Sequence, residues 1–274
     1  MNVFACCREQ EYQRAGESLF GRLTCLAVAA MGFVCHCVQA QDNYEIQVYG
    51  AETVPKGRTM VELHSNYAIE GQESTVNGVF PSEHAFHETL EITHGFTPWF
   101  ETGLYVFSSI QPHHGWQWVG DHIRPRVRAP DEWGLPVGIS LSTEVGYQRR
   151  SFSEDTWTWE IRPIIDKQWH RWYLSFNPSF EKSLHGPNAN AGFEFAPSAK
   201  ISFDTTKQIA LGLEYYSSLG PVGRFDNWHD QQHQIFPALD LNLSPQVEFN
   251  FGVGVGLTRS TDAVLIKLIL GYRF

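Results

Sequence analysis

The sequence predicts an all-β fold, a transmembrane antiparallel β-barrel of about twelve strands that follows a cleaved signal peptide. The C-terminal stretch, residues 263–274, predicts it most clearly, because apolar and polar side chains alternate along its whole length. A strand with this two-residue period has one apolar face for lipid and one polar face for a wet lumen. The N-terminal residues add a second observation, since they carry the pattern of an export signal.

The export signal consists of an apolar run over residues 23–34, followed by residues 38–40, which place small side chains where a signal peptidase reads them. We therefore predict a signal peptide over residues 1–40 and a mature chain that begins at Gln41. The run is shorter than the roughly 20 residues of a membrane-spanning helix, which disfavours a helical anchor. All five cysteines lie at or before Cys37, so the predicted mature chain has no thiol and suits an oxidising compartment.

Segments with the two-residue period recur along the mature chain, at the length expected of tilted membrane-spanning strands. The predicted strands are 59–69, 84–95, 100–110, 122–130, 137–149, 156–167, 171–183, 192–204, 209–218, 232–243, 246–258 and 263–274. They predict a barrel domain over residues 59–274, preceded by a periplasmic N-terminal segment over residues 41–58. Short turns are expected in the periplasm and longer loops outside the cell. The longer connections are 70–83, 111–121, 184–191 and 219–231.

Prolines inside the predicted strands favour a different architecture. Proline has no N–H to donate to a strand ladder and avoids central strands. The alternative is a secreted β-sandwich or jelly roll, although such a fold does not require apolar outward faces on nearly every strand. The prolines concerned are Pro125, Pro163, Pro178, Pro197 and Pro237.

The polar phase of the strands predicts a charged lumen. Arg124, Arg126 and Arg128 lie on one side of one strand, about 7 Å apart at two-residue spacing. A basic strip on a pore wall would set solute selectivity, whereas bidentate pairing with carboxylates would give a closed, neutralised lumen. The sequence leaves both interpretations open. The residues predicted to line the lumen are Glu62, Glu91, Glu101, Arg124, Arg126, Arg128, Glu144, Glu160, Arg162, Glu194, Lys200, Glu214, Asp240, Glu248 and Lys267.

Other classes of function have weaker support. A net charge of −10 disfavours nucleic-acid binding, because a phosphate backbone requires a basic surface. The chain contains no Gly-x-Ser-x-Gly motif, so an outer-membrane hydrolase is disfavoured and we predict no catalytic residue and no cofactor. Histidines cluster in two predicted outer loops without the tight spacing of metal ligands, so no metal site is predicted. These histidines are His113, His114, His122, His229 and His233.

The end of the chain resembles the C-terminal signal of bacterial outer-membrane barrels, which ends in an aromatic residue. Gly271, Tyr272 and Phe274 are the residues that carry this likeness. The resemblance implies two partners, the outer-membrane lipid and the barrel-assembly machinery that reads the last strand.

Four segments of the mature chain are similar to those of a family of outer-membrane barrels that is named after the MetA pathway of phenol degradation. They are residues 45–55, 121–128, 161–166 and 240–245. The resemblance implies a barrel of roughly twelve strands and the passage of small molecules, aromatic ones among them.

We therefore expect a passive channel in the cell outer membrane for a small polar, anionic or aromatic solute. The alternative function is a closed structural or surface-binding barrel, with a salt-bridged lumen and a binding surface in the outer loops. That surface would lie in the connections 70–83, 111–121 and 219–231, with His113, Trp116, Trp118, Phe225 and Trp228 as its contact residues.

Overall fold

The alternating strands close into a single barrel in the computed structural model, which describes residues 43–274. Each of the twelve antiparallel strands pairs with the next, and β1 pairs with β12 to complete the ring. The strands are β1 (Thr59–Glu70), β2 (Phe86–Thr97), β3 (Phe100–Gln111), β4 (Gly115–Arg128), β5 (Gly138–Gln148), β6 (Trp157–Trp169), β7 (Trp172–His185), β8 (Glu194–Asp204), β9 (Ile209–Ser218), β10 (Gln232–Leu241), β11 (Val247–Gly256) and β12 (Val264–Arg273). The predicted fold class is confirmed, whereas the predicted signal peptide lies outside the described residues.

The outer surface of the barrel is an apolar belt. Leu104, Leu211 and Val255 point outward and expose 53%, 53% and 49% of their surface. Exposed tryptophans such as Trp99 and Trp169 lie at strand ends, where amphipathic rings occupy the membrane interface. One short 3₁₀ helix, Asp131–Trp133, interrupts the connection between β4 and β5. Among the described residues, no helix has the length and apolar character needed to cross a membrane.

The two ends of the barrel differ in their connections. We call one the long-loop end, where residues 71–85 and 219–231 join their strands. The other is the short-turn end, where residues 98–99 and 170–171 join theirs and where β1 begins. The predicted outer loop 111–121 is wrong in extent, because β4 already begins at Gly115 and leaves only a tight hairpin.

Four of the five prolines within the strands lie where the ladder to one neighbouring strand is interrupted, and Pro197 lies just beyond the end of the β8–β9 ladder, which begins at Ser198. The β4–β5 register passes from Ile123 directly to Arg126, skipping Pro125. The β6–β7 and β10–β11 registers are likewise interrupted at Pro163, Pro178 and Pro237. A residue without an N–H fits at such a gap, because the missing donor leaves no partner unsatisfied there. The prolines therefore mark irregular positions in a closed barrel, and the β-sandwich alternative is wrong.

Inward-facing glycines make room for large side chains on neighbouring strands. Gly146 on β5 lies opposite His122 on β4, and a Cβ at this position would overlap the imidazole ring. It would also lie 2.6 Å from the carbonyl oxygen of Asp121. The sequence thus places glycine opposite a large inward side chain on the adjacent strand, so that the lumen is filled without overlap.

The variant Gly146→Ala is therefore expected to destabilise the barrel by about 1–3 kcal/mol, the usual cost of overpacking a filled interior. The matched control is Gly192→Ala, because a Cβ on Gly192 meets no atom within 4 Å. The temperature at which the refolded barrel loses its heat-modifiable gel mobility measures the effect. Equal transition temperatures for the two variants would contradict the proposed packing role of Gly146.

Candidate functional site: the lumen and its N-terminal segment

The lumen contains part of the chain itself. Residues 43–54, which we call the lumen segment, run through the barrel from the long-loop end to the short-turn end. At the long-loop end Asn43 donates a hydrogen bond to the Asp262 carboxylate, and its carbonyl oxygen accepts one from Asn66 at 2.9 Å. At the short-turn end the Val54 N–H donates to Glu101 at 2.5 Å. The predicted periplasmic placement of residues 41–58 is therefore wrong for the described residues 43–54.

The backbone of the lumen segment is held by wall side chains rather than by a strand. The Tyr49 N–H donates to Asn177 Oδ1 at 2.7 Å, and the Tyr49 carbonyl accepts from Ser175 Oγ at 2.6 Å. The Ala51 N–H donates to Asp166 at 2.9 Å. These contacts satisfy buried backbone groups that the strand ladders of the wall do not reach. The segment is thus fixed by specific polar contacts without belonging to the sheet.

Three predicted lumen arginines surround the lumen segment. Arg124 forms an ion pair with Glu91 at 2.6 Å, and Arg126 pairs with Glu101 at 2.7 Å. Arg126 also donates to the carbonyl oxygen of Glu52 in the segment at 2.6 Å. The third arginine, Arg162, is paired with Glu160 at 2.7 Å and lies 3.6 Å from Glu45 of the segment. This arginine cluster, Arg124, Arg126 and Arg162, is therefore neutralised by carboxylates.

The Tyr49 ring lies at the centre of the arginine cluster. Its centroid is 4.6 Å from the guanidinium carbon of Arg124, 4.8 Å from that of Arg162 and 5.6 Å from that of Arg126. A desolvated cation–π contact contributes about 1–2 kcal/mol. The Tyr49 hydroxyl also bonds to Glu45 and lies 3.1 Å from the Tyr105 hydroxyl. Tyr49 is thus the main side-chain anchor of the lumen segment.

A second ionic network lies on the opposite wall. Glu214 on β9 pairs with Lys267 on β12 and with Lys200 on β8, the latter at 3.1 Å. Lys200 also reaches Asp240 at 2.8 Å. Lys267 crosses the lumen face of Gly252, where a Cβ would lie 3.2 Å from its Cε, and donates to the carbonyl oxygen of Ile46 in the lumen segment at 3.0 Å.

The remaining predicted lumen residues take separate positions. Glu144 bonds to His122 at 2.5 Å, so His122 belongs to the wall rather than to an outer loop. Glu62 and Glu248 approach one another near the seam between β1 and β12. Glu194 lines a cavity at the long-loop end. Arg128 lies at the short-turn rim, where it pairs with the exposed Asp131.

Two cavities lie on either side of the middle of the lumen segment. The cavity at the long-loop end, which we call the outer cavity, has a volume of ≈ 240 Å³ and is lined by the first residues of the segment. The cavity at the short-turn end has a volume of ≈ 550 Å³ and is lined by Gly50, Ala51 and Glu52. Val48 and Tyr49 lie between these two stretches. The middle of the lumen segment therefore lies between the two cavities, together with the ion-paired side chains of the arginine cluster.

The Asp262 carboxyl lies in the loop between β11 and β12, outside the strands. Burial raises its pKa, and hydrogen bonds from Ser82 and Asn43 oppose that rise. Because Asn43 is the first described residue of the lumen segment, this carboxyl fixes the segment to the loops at the long-loop end.

The sequence predicted the charged residues of the barrel wall but not the segment that fills the lumen. The lumen segment contains Ile46, Val48 and Tyr49, all of them buried. Its apolar alternation, with Glu45 and Gln47 between, was a strand-like signal in a stretch interpreted as a periplasmic N-terminal segment. A closed barrel has no free strand edge with which such a segment could pair. It can therefore bury the segment only in its lumen.

A closed barrel of twelve antiparallel strands with an apolar belt outside and charge inside is an outer-membrane β-barrel. The comparisons with solved structures agree with this class. An outer membrane channel from Pseudomonas putida F1 superimposes with a TM-score of 0.56 at 10% identity, covering 84% of this chain and 100% of that chain. The NanC porin gives a TM-score of 0.51 at 6% identity, with coverage of 78% and 98%.

Identities this low support the fold alone. No family model matches the chain, and no curated protein matches it. The resemblance to the MetA-pathway family of phenol degradation therefore stays a prediction.

Proposed function

We propose that this protein is a passive outer-membrane channel for small solutes rather than an enzyme, and that the lumen segment closes it at rest. One observation carries the proposal: two cavities occupy opposite ends of one barrel, and the middle of the lumen segment lies between their described linings together with the ion-paired side chains of the wall. The segment is held by hydrogen bonds and cation–π contacts, which can break and reform on the timescale of loop motion. Displacement of the segment would join the cavities into a continuous path.

The outer cavity supports a preference for cationic solutes. Among its described lining residues Arg162 is the sole arginine or lysine, and this residue is already paired with Glu160. Carboxylates that line a path set its selectivity for cations. The carboxylates in this lining are Glu45, Glu144, Glu154, Glu160, Glu181 and Glu194. Phe80, Phe152 and Trp159 also line the cavity, so aromatic cations are compatible with it.

The arginine strip does not support the anionic solutes expected from the sequence. Arg124 and Arg126 bond to Glu91 and Glu101, and the lumen segment covers their inner side. Their charge is therefore compensated before any solute arrives. The aromatic solutes implied by the MetA-pathway resemblance remain compatible with the rings of the outer cavity.

Replacing Glu154 and Glu194 together by Gln is expected to lower the cation selectivity of the channel. Both carboxylates line the outer cavity and pair with no arginine or lysine among the described residues. The control is Glu132→Gln, an exposed residue at the short-turn end. Reversal potentials in a salt gradient measure the effect, on the full mature chain and on a variant that lacks residues 41–54. A preference for anions in the unsubstituted channel would contradict the proposed solute class.

A closed structural barrel is the second candidate, and the filled lumen favours it. Ion pairs and the lumen segment occupy the middle of the barrel, as a permanently neutralised core would. In that case function would lie in the outer loop 219–231, where Phe225 and Trp228 are exposed, and at the adjoining end of β4, where Trp116 is exposed. Absence of current from both the full chain and the segment-deleted chain would favour this candidate.

We also propose that the last strand is recognised by the barrel-assembly machinery. Tyr272 and Phe274 are exposed on the outer face and pack edge to face, with ring centroids 5.0 Å apart. Gly271 faces inward between Glu62 and Glu248. The predicted signal therefore has two residues on the outer face of the barrel and one on its lumen face. Loss of assembly in cells on Phe274→Ala, without loss of refolding in detergent, would support the proposal.

A further inference from the structure

The seam of the barrel contains a histidine between two carboxylates. Glu62 and His64 both face inward from β1, and Glu91 lies directly opposite Glu62 on β2. One ligand atom from each of the three side chains lies within 4.8 Å of the others. All three residues are buried, with exposures of 7%, 0% and 0%. A nitrogen and two carboxylate oxygens are thus brought together away from bulk water.

A further carboxylate joins this group across Gly271. Glu248 on β11 and Glu62 on β1 both lie opposite Gly271 on β12. A Cβ on Gly271 would lie 2.9 Å from Glu62 Cγ and 3.1 Å from Glu248 Cβ, so only glycine lets the two side chains meet. Their carboxyl groups are in hydrogen-bond contact.

Neither Glu62 nor Glu248 forms an ion pair with an arginine or lysine in the part of the chain that the structure describes. The nearby arginine, Arg124, forms its ion pairs with Glu91 and Glu101 instead. Two adjacent carboxylates in a buried site cannot both be ionised without compensation, so they must share a proton or bind a cation. The site therefore has a local excess of negative charge for which a cation is suited.

The surroundings of His64 favour a bound metal ion over a shared proton as the compensation for these carboxylates. Its Nδ1 and Nε2 atoms are both buried, and Nδ1 has no hydrogen bond among the described residues. The Nε2 atom lies 3.4 Å from Glu91 Oε2. Two ligand atoms each about 2.1 Å from one ion in tetrahedral geometry lie about 3.4 Å apart, so this spacing allows both atoms to bind one ion.

The Glu91 carboxylate is oriented for such a role. Its Oε1 atom accepts hydrogen bonds from Arg124 and from Thr93, both at 2.6 Å. Its Oε2 atom faces Nε2 of His64 and accepts no hydrogen bond from any other described residue. Ligand carboxylates in metal sites are commonly held through one oxygen in this way while the other binds the ion.

We propose that Glu62, His64 and Glu91 bind a divalent transition-metal ion of the Zn²⁺ type, with Glu248 as the fourth ligand. An imidazole among carboxylates suits such an ion, whereas Ca²⁺ and Mg²⁺ take oxygen ligands alone. The ion would compensate the Glu62 and Glu248 charges. It would also connect β1, β2 and β11, strands that lie on both sides of the β1–β12 seam, and so stabilise the closure of the barrel. The sequence predicted no metal site and considered metal binding only in the outer loops.

The test is the metal content of the full mature chain, residues 41–274, refolded with Zn²⁺ and dialysed against a weak chelator. About one ion is expected to remain per barrel. The variant His64→Gln is expected to retain none. The matched control is His87→Gln, since His87 is also a buried inward histidine on β2 but packs against the Tyr44 ring, at 4.5 Å between centroids.

Heat-modifiable gel mobility shows whether each variant has folded, and Glu62→Gln replaces His64→Gln if the latter does not fold. The proposal is overturned if the wild-type barrel retains no ion, or if a folded His64→Gln or Glu62→Gln barrel retains as much as the wild type. It is also overturned if His113→Gln with His114→Gln removes the ion, because the loop histidines would then be its ligands.

Discussion

Deletion of residues 41–54 from the mature chain is expected to open the barrel and give steady current steps several-fold larger than those of the full chain. The deletion joins the cavities of ≈ 240 and ≈ 550 Å³ by removing the chain between them. The wall should remain closed, because its strands pair around the full ring without the lumen segment. Conductance of single refolded barrels in a planar bilayer measures the effect.

Two point variants serve as milder versions of the deletion. Tyr49→Ala removes the ring that contacts Arg124, Arg126 and Arg162 and should raise the frequency of open events. Tyr49→Phe keeps that ring and loses the hydroxyl contacts to Glu45 and Tyr105, so its effect should be smaller. A silent deletion variant that is folded and inserted would contradict the channel proposal.

Substitution of Arg124 by Met is expected to have the largest effect on stability. Arg124 is 2% exposed and pairs with Glu91 at 2.6 Å and with Glu101 at 3.8 Å. Its removal leaves buried carboxylates uncompensated, which costs about 3–5 kcal/mol when one partner of a buried ion pair is lost. The temperature of the heat-modifiability transition measures the loss.

The same strand offers a matched control in Arg128→Met. Arg128 pairs with Asp131, whose side chain is 83% exposed, and exposed ion pairs contribute about 0–1 kcal/mol. A small shift for Arg128→Met beside a large one for Arg124→Met is the expected result. If both variants lowered the transition temperature equally, the arginine cluster would not be the ionic core of the lumen.

Most of the wall could be predicted from the sequence, because two-residue alternation between lipid and lumen is a strong and local signal. The predicted strand 209–218 coincides with β9, and 263–274 differs from β12 by one residue at each end. The signal failed in β4, which begins at Gly115 instead of residue 122. Residues 115–121 extend the β3–β4 hairpin without clear alternation, so they resembled a loop.

The contents of the lumen were harder to predict. Which inward charges pair depends on register and on glycines such as Gly103, where a Cβ would lie 3.3 Å from Glu91 Oε1, in the space through which Arg124 reaches Glu91. The lumen segment was hardest, because its partners Asn177, Asp166 and Arg126 lie far along the chain. The prolines were informative in retrospect, since four of the five mark the gaps in the β4–β5, β6–β7 and β10–β11 ladders.

The central claim is that residues 43–54 close the lumen reversibly, and an engineered disulfide between the segment and the wall tests it. A Cβ on Gly138 of β5 would lie 2.9 Å from Ala51 Cβ, closer than the roughly 3.5–4.5 Å between the Cβ atoms of a disulfide. The bond therefore requires the segment to move away from the wall by about 1 Å and the Asp166 carboxylate to rotate aside. The chain from Gln41, the predicted start of the mature protein, has no other thiol, because all five cysteines lie at or before Cys37. The single variant Gly138→Cys carries the same crowding and is the control.

The decisive measurement is the single-channel current of the Ala51→Cys, Gly138→Cys barrel before and after addition of a reductant to the same bilayer. We predict no current while the disulfide holds the segment, and steps like those of the Gly138→Cys control once it is reduced. Equal current in the oxidised and reduced states would contradict closure by the lumen segment.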